Sequence, residues 1–489
     1  MIYHEHPLRI LRYSAKNIWL LIFPLIRGLN VLRINKDVLY EWLRGAWFDI
    51  LIIGLIVLFG YVRWHYSEIE VSDSSITHRE GFIFRVRTTI PYSNISSSSF
   101  ERPFYLAPFR ASRLRCDTSA GLFSASDMKL MVSDDVCGVI AGRLPGIKKN
   151  REAYEFPKPS VWSVILFSVF FSSGLSGTIY VATFFFKGGS IARDVIGTSI
   201  DRITDSTEWI AGSLLRRIPD AAVVIGALFV GAWLISAIVN LLKYSDFSLH
   251  FTENDIKVAY GIITRKEYRL TAKHINYTDL RQNLIMKLLK VVAVHISCAG
   301  YGNKRSRLPV LLPVMRESTL SEELDHIGVS RGRKNEFTPK FTGYWQHIWI
   351  PAILAAAVFP LHFIAADLVP ELSSLTLFAA VMVEVPAVWF IIVKTAGFLT
   401  SGIAIYDDKI KISYNKWTTF HTVIAERKKL VKIELEQTIF QKIGKRCSIS
   451  LWFDGEMHCR HKVRGIDVRK VRQITELLDT ASGQGLVRT

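Results

Sequence analysis

Asp255–Gln282 reads DIKVAYGIITRKEYRLTAKHINYTDLRQ. Its first six residues alternate polar and apolar, the period of a half-buried strand. Gly261 then supplies a turn. A basic strand carries Arg265, Lys266 and Arg269, and the segment closes on Ile275 and, seven positions later, Gln282. The pattern occurs three times. Glu70–Ile76, His250–Ile256 and Ala404–Ile410 each read strand, acidic turn, strand. Gly81, Gly261 and Asn415 close the second turn, and Ile95, Ile275 and Leu430 precede Arg102, Gln282 and Gln437 by seven positions. Later strands (RASRLRCDTSAG, VVAVHISCAG, CSISLWFDG) and a terminal helix complete each copy, as in the apolar face Ile466, Val471, Ile474, Leu477 and Leu478.

Stretches that cannot live in water lie between the copies. Ser160–Phe186, Ala221–Leu242 and Phe341–Ala366 contain no charged residue, and about 20 apolar residues suffice for a spanning helix. Ile50–Val62, Leu372–Val393 with its Glu384, and Asn17–Leu32 with Pro24 and Arg27 are weaker spans. The last either crosses or re-enters.

The sequence therefore predicts an α+β membrane protein with about six transmembrane helices in three hairpins. Each hairpin precedes a β-domain with a C-terminal helix. The expected boundaries are hairpin 1–63 (spans about 14–33 and 45–63) and domain 64–150. Hairpin 160–242 (spans about 160–186 and 221–242, outside segment 187–220) and domain 244–330 follow. Hairpin 341–398 (spans about 343–366 and 372–394) and domain 399–482 complete the chain. No cleavable signal sequence is expected, because MIYHEHPLRILRYSAKN is polar and basic and no small-residue cleavage site follows it.

Charge orients the expected topology. Lys and Arg number 14 against 11 Asp and Glu in 63–160, 17 against 10 in 243–340, and 18 against 10 in 394–489. The loop 187–220 balances five against five, and 367–371 holds only Asp367 and Glu371. A Lys/Arg excess marks cytoplasmic loops, so both termini and all three domains are expected in the cytoplasm. The five cysteines lie in those domains without framework spacing, which fits a reducing compartment. The net charge of +18 suits an anionic inner leaflet. No helix-turn-helix, zinc-finger spacing or RNP-type strand supports nucleic acid as a partner.

These features resemble the bacterial PH-like membrane proteins of the YdbS/YdbT type, most of all the long, three-domain YdbT-like members. The carriers are His6-Pro7-Leu8, the turns at Gly81 and Gly261, Ile275/Gln282, Leu430/Gln437, and the post-strand Gly121 and Gly300. Arg102 and Asn415 depart from the pattern. The resemblance implies PH-like folds of about seven strands and a helix, a bacterial plasma-membrane location, and a short PH-like membrane protein as partner. It brings no catalytic residue, cofactor or metal.

Candidate chemistry is sparse. Arg265, Lys266 and Arg269, with Lys428 and Lys429, either hold an anionic lipid headgroup or partner, or form a solvated strand face. Glu384 lies at mid-span, where a carboxylate costs about 2.5 kcal/mol or more to insert. It either serves transport of a lipid or small molecule, paired with His362 or Arg27, or makes a structural hydrogen bond. His458-Cys459-Arg460-His461 lacks a second pair at zinc spacing. Ser93–Ser99 reads as loop or ragged strand, and no phosphate loop, nucleophile elbow or HExxH occurs. The segment 188–219 reads as an amphipathic helix lying on the outer surface or packing on a partner. The expectation is a non-enzymatic scaffold.

Overall fold

The structure is a computed structural model. It describes residues 1–14, 36–118, 127–144, 154–156, 237–252, 255–298, 310–323, 334–370, 373–406, 408–455 and 459–482, with isolated positions between 162 and 235. In the first repeat, strand β1 (Ile2–His4) precedes helix α1 (Lys36–His65). Strands β2 (Glu68–Val71), β3 (Ser75–Glu80), β4 (Val86–Pro91), β5 (Ile95–Pro103), β6 (Ala111–Thr118) and β7 (Met128–Ser133) follow, closed by α2 (Asp134–Arg143). The second repeat runs β8 (Tyr154–Glu155), β9 (Ser248–Phe251), β10 (Asp255–Tyr260), β11 (Thr264–Thr271), β12 (Ile275–Gln282), α3 (Leu284–Leu288), β13 (Val291–Cys298), β14 (Val310–Arg316) and α4 (Glu317–Glu323). In the third, α5 (Trp345–Leu368) and α6 (Ser373–Thr400) lead to β15 (Gly402–Tyr406), β16 (Lys409–Lys416), β17 (Thr419–Glu426) and β18 (Leu430–Glu436). It ends with α7 (Ile439–Ile443), β19 (Arg446–Phe453), β20 (Arg460–Asp467) and α8 (Val468–Ser482).

The expectation of about six transmembrane helices is corrected. Among the described residues, two helices are long and apolar enough to cross a bilayer, Phe341–Leu368 and Ala379–Thr400. Antiparallel sheet dominates the rest. The expected span at 45–63 falls short because Asp49 interrupts its start, while Lys36, Asp37, Glu41 and Arg44 keep the preceding part of α1 from extending it. The apolar part of α1 is only Ile50–His65, about 24 Å at 1.5 Å per residue, less than a hydrocarbon core of about 30 Å. The spans expected at 14–33, 160–186 and 221–242, and the segment 187–220, lie wholly or mostly outside the described residues.

The chain divides into two compact units. One holds Met1–Phe156, Ser248–His274 and Cys298–Ser306; the other holds Pro157–Phe247, Ile275–Ser297 and Arg307–Thr489. The middle repeat thus contributes to both. The first unit contains a four-stranded sheet, β1-β2-β3-β4, and a seven-stranded sheet, β7-β6-β5-β11-β10-β9-β8. The second contains β14-β13-β12-β17-β16-β15 and β18-β19-β20. Repeats are therefore joined by strand pairing, β5 to β11 and β12 to β17.

The two junctions share one register. Lys266 stands opposite Glu101, and Arg269 opposite Ser98. The homologous positions one repeat on are His421 opposite Arg281 and Ile424 opposite Thr278. In both junctions the inserted strand lies between two neighbours; β5 is almost wholly buried and β12 is buried along its middle. Ser96–Ser99 is therefore central sheet and not loop; its small side chains are buried on both faces.

A second seam brackets each apolar segment. Ile2 and Tyr3 pair with Glu70 and Ile69, before and after α1. Tyr154 and Glu155 pair with Phe251 and His250, and Phe337 bridges Ile403 on either side of α5 and α6. The chain leaves and re-enters each of these sheets at adjacent strands.

Two sequence features gain physical reasons. Gln282 Nε2 donates to the Val291 carbonyl (2.9 Å), and Gln437 Nε2 does the same to Arg446 (2.7 Å), tying one strand to the next across a short helix. Gln282 also donates to Glu317 at the start of α4 (2.7 Å); Arg102, which replaces Gln in the first repeat, ion-pairs with Asp134 at the start of α2. Asn415 does not form the third turn. It stays in β16, and Trp417 takes the positive φ of 55° instead.

Candidate membrane-interface site

Each repeat exposes apolar residues at its first long hairpin tip. Gly81 adopts φ +105°, and a Cβ there would lie 2.0 Å from the Phe84 carbonyl oxygen, so only glycine permits the turn. The turn projects Phe82, Ile83 and Phe84, of which Phe84 is 84% exposed. Gly261 (φ +98°) repeats the device and presents Ile262 and Ile263. The third tip presents Trp417, 73% exposed.

In the first and third repeats the tip lies along the preceding apolar helix. Phe82 packs on Tyr66 just beyond α1, with ring centroids 5.0 Å apart. Phe82 and Ile83 then join Leu55, Phe59 and Val62 in an open groove of about 610 Å³. Tyr13 and Arg63 form its polar end, with the Arg63 guanidinium 4.4 Å above the Tyr13 ring. Trp417 meets Phe390 of α6 at 6.2 Å. Lys394 Nζ lies 5.0 Å from the Phe390 ring centre and donates to Asn415 Oδ1 (3.0 Å). An apolar wall ending in a cation and an amphipathic aromatic is the pattern of a membrane interface.

The base of α1 is anchored by a buried network. The Glu5 carboxylate pairs with Arg9, and accepts from the Ser67 hydroxyl (2.8 Å) and the Met131 N–H (3.3 Å). Trp64 Nε1 donates to the Glu5 carbonyl (2.7 Å), and His78 Nε2 shares a 3.0 Å hydrogen bond with Ser67 Oγ. Burial lowers the His78 pKa to about 4, Glu80 and Arg9 acting less strongly. Burial raises that of Glu5 against the opposing pull of Arg9.

The basic strand residues singled out from the sequence lie at the first junction. Lys266 Nζ reaches Glu101 (2.9 Å) across β5·β11. Burial would raise the Glu101 pKa, but Lys266 and two arginines outweigh it and hold the carboxyl below its usual value. Arg269 is held by Glu267 (3.0 Å) and by the Ala141 carbonyl (2.6 Å), with its guanidinium 5.5 Å from the Phe100 ring centre. Arg265 sits opposite Arg102 in the same ladder. At the homologous second junction, Asp279 is buried and bonded to His421 Nδ1 (2.9 Å) and Arg281 Nε (2.6 Å). Its pKa is held well below the carboxylate range because those two partners overcome the burial penalty. Lys428 and Lys429 occupy a short 3₁₀ turn after β17, Lys428 exposed and paired with Glu426 (2.7 Å).

Glu384 is half-buried in α6, and its Oε2 has no hydrogen-bond partner among the described residues. Of its expected partners, His362 instead meets Thr376 Oγ1 at 3.0 Å, and Arg27 lies outside the described residues. His458 also lies outside them. Among the described residues no cluster of His, Cys, Asp and Glu has the form of a metal site.

Residues 25–139 and 210–327 match the family described as Bacterial PH domain. Over these two stretches, just under half of its length, the chain is similar to bacterial PH domains. The first matched stretch runs from before α1 into α2, and the second from before β9 to beyond α4. The chain is also similar to the UPF0699 transmembrane protein YdbT of Bacillus subtilis (strain 168). The two are 25% identical over 125 residues, which is 25% of this chain and 23% of that protein. The match therefore spans less than a quarter of the relative's length. No solved structure matches. Two apolar helices of spanning length accompany this similarity to bacterial PH domains and to a protein named as transmembrane.

The aromatic and aliphatic tips were not singled out from the sequence. A signal existed: three apolar residues directly after a turn glycine break the rule that hairpin tips are polar.

Proposed function

We propose that the protein is a non-enzymatic scaffold of the bacterial plasma membrane. It holds PH-like modules against the cytoplasmic leaflet and gathers anionic lipid and, where present, a short PH-like membrane protein. The observation that carries this reading is the apolar groove beside α1, with Phe82 and Ile83 on its wall and Arg63 and Tyr13 at its end. The groove accommodates an acyl chain while its cation faces the headgroup. Each basic residue near an anionic surface contributes about 1 kcal/mol, so the tips orient modules that the helices already anchor. The seams support the topology, because a segment whose ends pair in one sheet crosses a bilayer an even number of times or not at all.

Native mass spectrometry of the full chain in nanodiscs, with and without phosphatidylglycerol, tests the reading. Phe82→Ser with Ile83→Ser should lower retained lipid severalfold. Arg63→Gln should remove the preference for the anionic headgroup while sparing retention. Unchanged retention and preference in both variants would defeat the lipid assignment.

A further inference from the structure

The junctions leave two sheet edges open, and these edges are complementary. Every repeat has an accepting edge, the strand after the hairpin tip (β4, β11, β17), and a donating strand, the one after the 3₁₀ turn (β5, β12, β18). Inside the chain β5 meets β11 and β12 meets β17. Among the described residues, nothing pairs with the outer edge of β4 or of β18, each the terminal strand of its sheet.

β18 has the form of a donor. Its ladder with β19 carries an irregularity between Leu430 and Lys432, and β5 carries one against β6 between the homologous Ile95 and Ser97. Apolar side chains stand uncovered on both edges, with Val86 52%, Val431 57% and Leu435 47% exposed. An open edge presents unpaired N–H and C=O groups that template another strand.

We propose that β18 of one copy of this chain pairs with β4 of a second copy, continuing the internal junctions head to tail. Carrying the internal register over places Glu436 opposite Val86, Leu435 opposite Arg87, Glu434 opposite Thr88, Ile433 opposite Thr89 and Lys432 opposite Ile90. Pro91, which has no N–H to donate, falls just outside this ladder. The observed β5·β11 ladder stops at Leu270, the homologue of Ile90. The second copy is the occupant because both complementary edges belong to this chain and the interface they would form is already built twice within it. A head-to-tail contact of this kind gives a ring or an open filament. The proposal rests on junction geometry, not on the lipid reading, and stands or falls independently of it.

Two differently tagged full-length populations test it, both with Cys137→Ser and Cys459→Ser. One carries Thr89→Cys and the other Ile433→Cys, and they are co-reconstituted and mildly oxidised. Directly opposed antiparallel residues lie within disulfide reach, so mixed-tag dimers should exceed those from a Thr89→Cys and Glu434→Cys mixture by about tenfold. Mass photometry of the unmodified protein in detergent should show species larger than one chain. Equal crosslinking in the two mixtures, or single chains only by mass photometry, would overturn the proposal. Capture of a short PH-like protein on either cysteine in place of the second copy would overturn it equally.

Discussion

Gly81 and His78 show how much single residues settle here. The positive φ of Gly81 and the 2.0 Å approach to the Phe84 carbonyl make the first tip intolerant of a side chain. Gly81→Ala should cost about 1–3 kcal/mol and lower the midpoint of a thermal unfolding scan. His78 sets a pH window. Its folded pKa of about 4 lies below its ordinary 6.5, so the unfolded chain binds its proton first. Stability from this site is full above about pH 6.5 and is lost as pH falls towards 4. Glu5, whose pKa is raised, acts in the opposite sense. A His78→Gln variant should lose less stability than the parent between pH 6.5 and 4, as measured by urea unfolding at each pH. Equal slopes in the two proteins would remove His78 from the network.

Among the elements, the junction strands matter most. Asp279 on β12 faces His421 on β17, and its Oδ2 lies within hydrogen-bond reach of both His421 Nδ1 and Arg281 Nε. Deleting one partner of a buried ion pair leaves the others uncompensated, so Asp279→Ala should destabilise the second unit by about 3–5 kcal/mol. Limited proteolysis between β12 and β17 reads this directly, and an unaltered pattern would show that backbone pairing alone holds the junction. The seam that brackets α5 and α6 is a second case. Phe337 enters the core of Ile403, Ile410, Val423 and Ile449, and Phe337→Ala should cost about 3–5 kcal/mol. Reduced yield of folded protein by fluorescence-detected size exclusion would register that loss.

For the whole molecule, the two seams put all β-structure that flanks α5 and α6 on one side of any bilayer they cross. Lys428 is exposed there. A Lys428→Cys protein lacking Cys137 and Cys459 should resist an impermeant thiol reagent in intact cells and react after permeabilisation. Labelling without permeabilisation would invert the orientation.

The repeats, their strands and the two long apolar helices were legible in the sequence because each follows from local periodicity. Alternation at two residues, a turn glycine and a run of uncharged residues leave marks within a dozen positions. Gln282 and Gln437 were legible as a pattern too, though their bonds to Val291 and Arg446 were not. Only the tertiary structure decided that Lys266 and Arg269 serve a seam, that Ser96–Ser99 is central sheet, and which edges remain open. Strand pairing between repeats is made by backbone N–H and C=O groups that every residue carries, so no side-chain pattern announces the partner. Length of an apolar run is likewise a one-dimensional property, whereas the charged first half of α1 is judged only once its helix is seen to begin at Lys36.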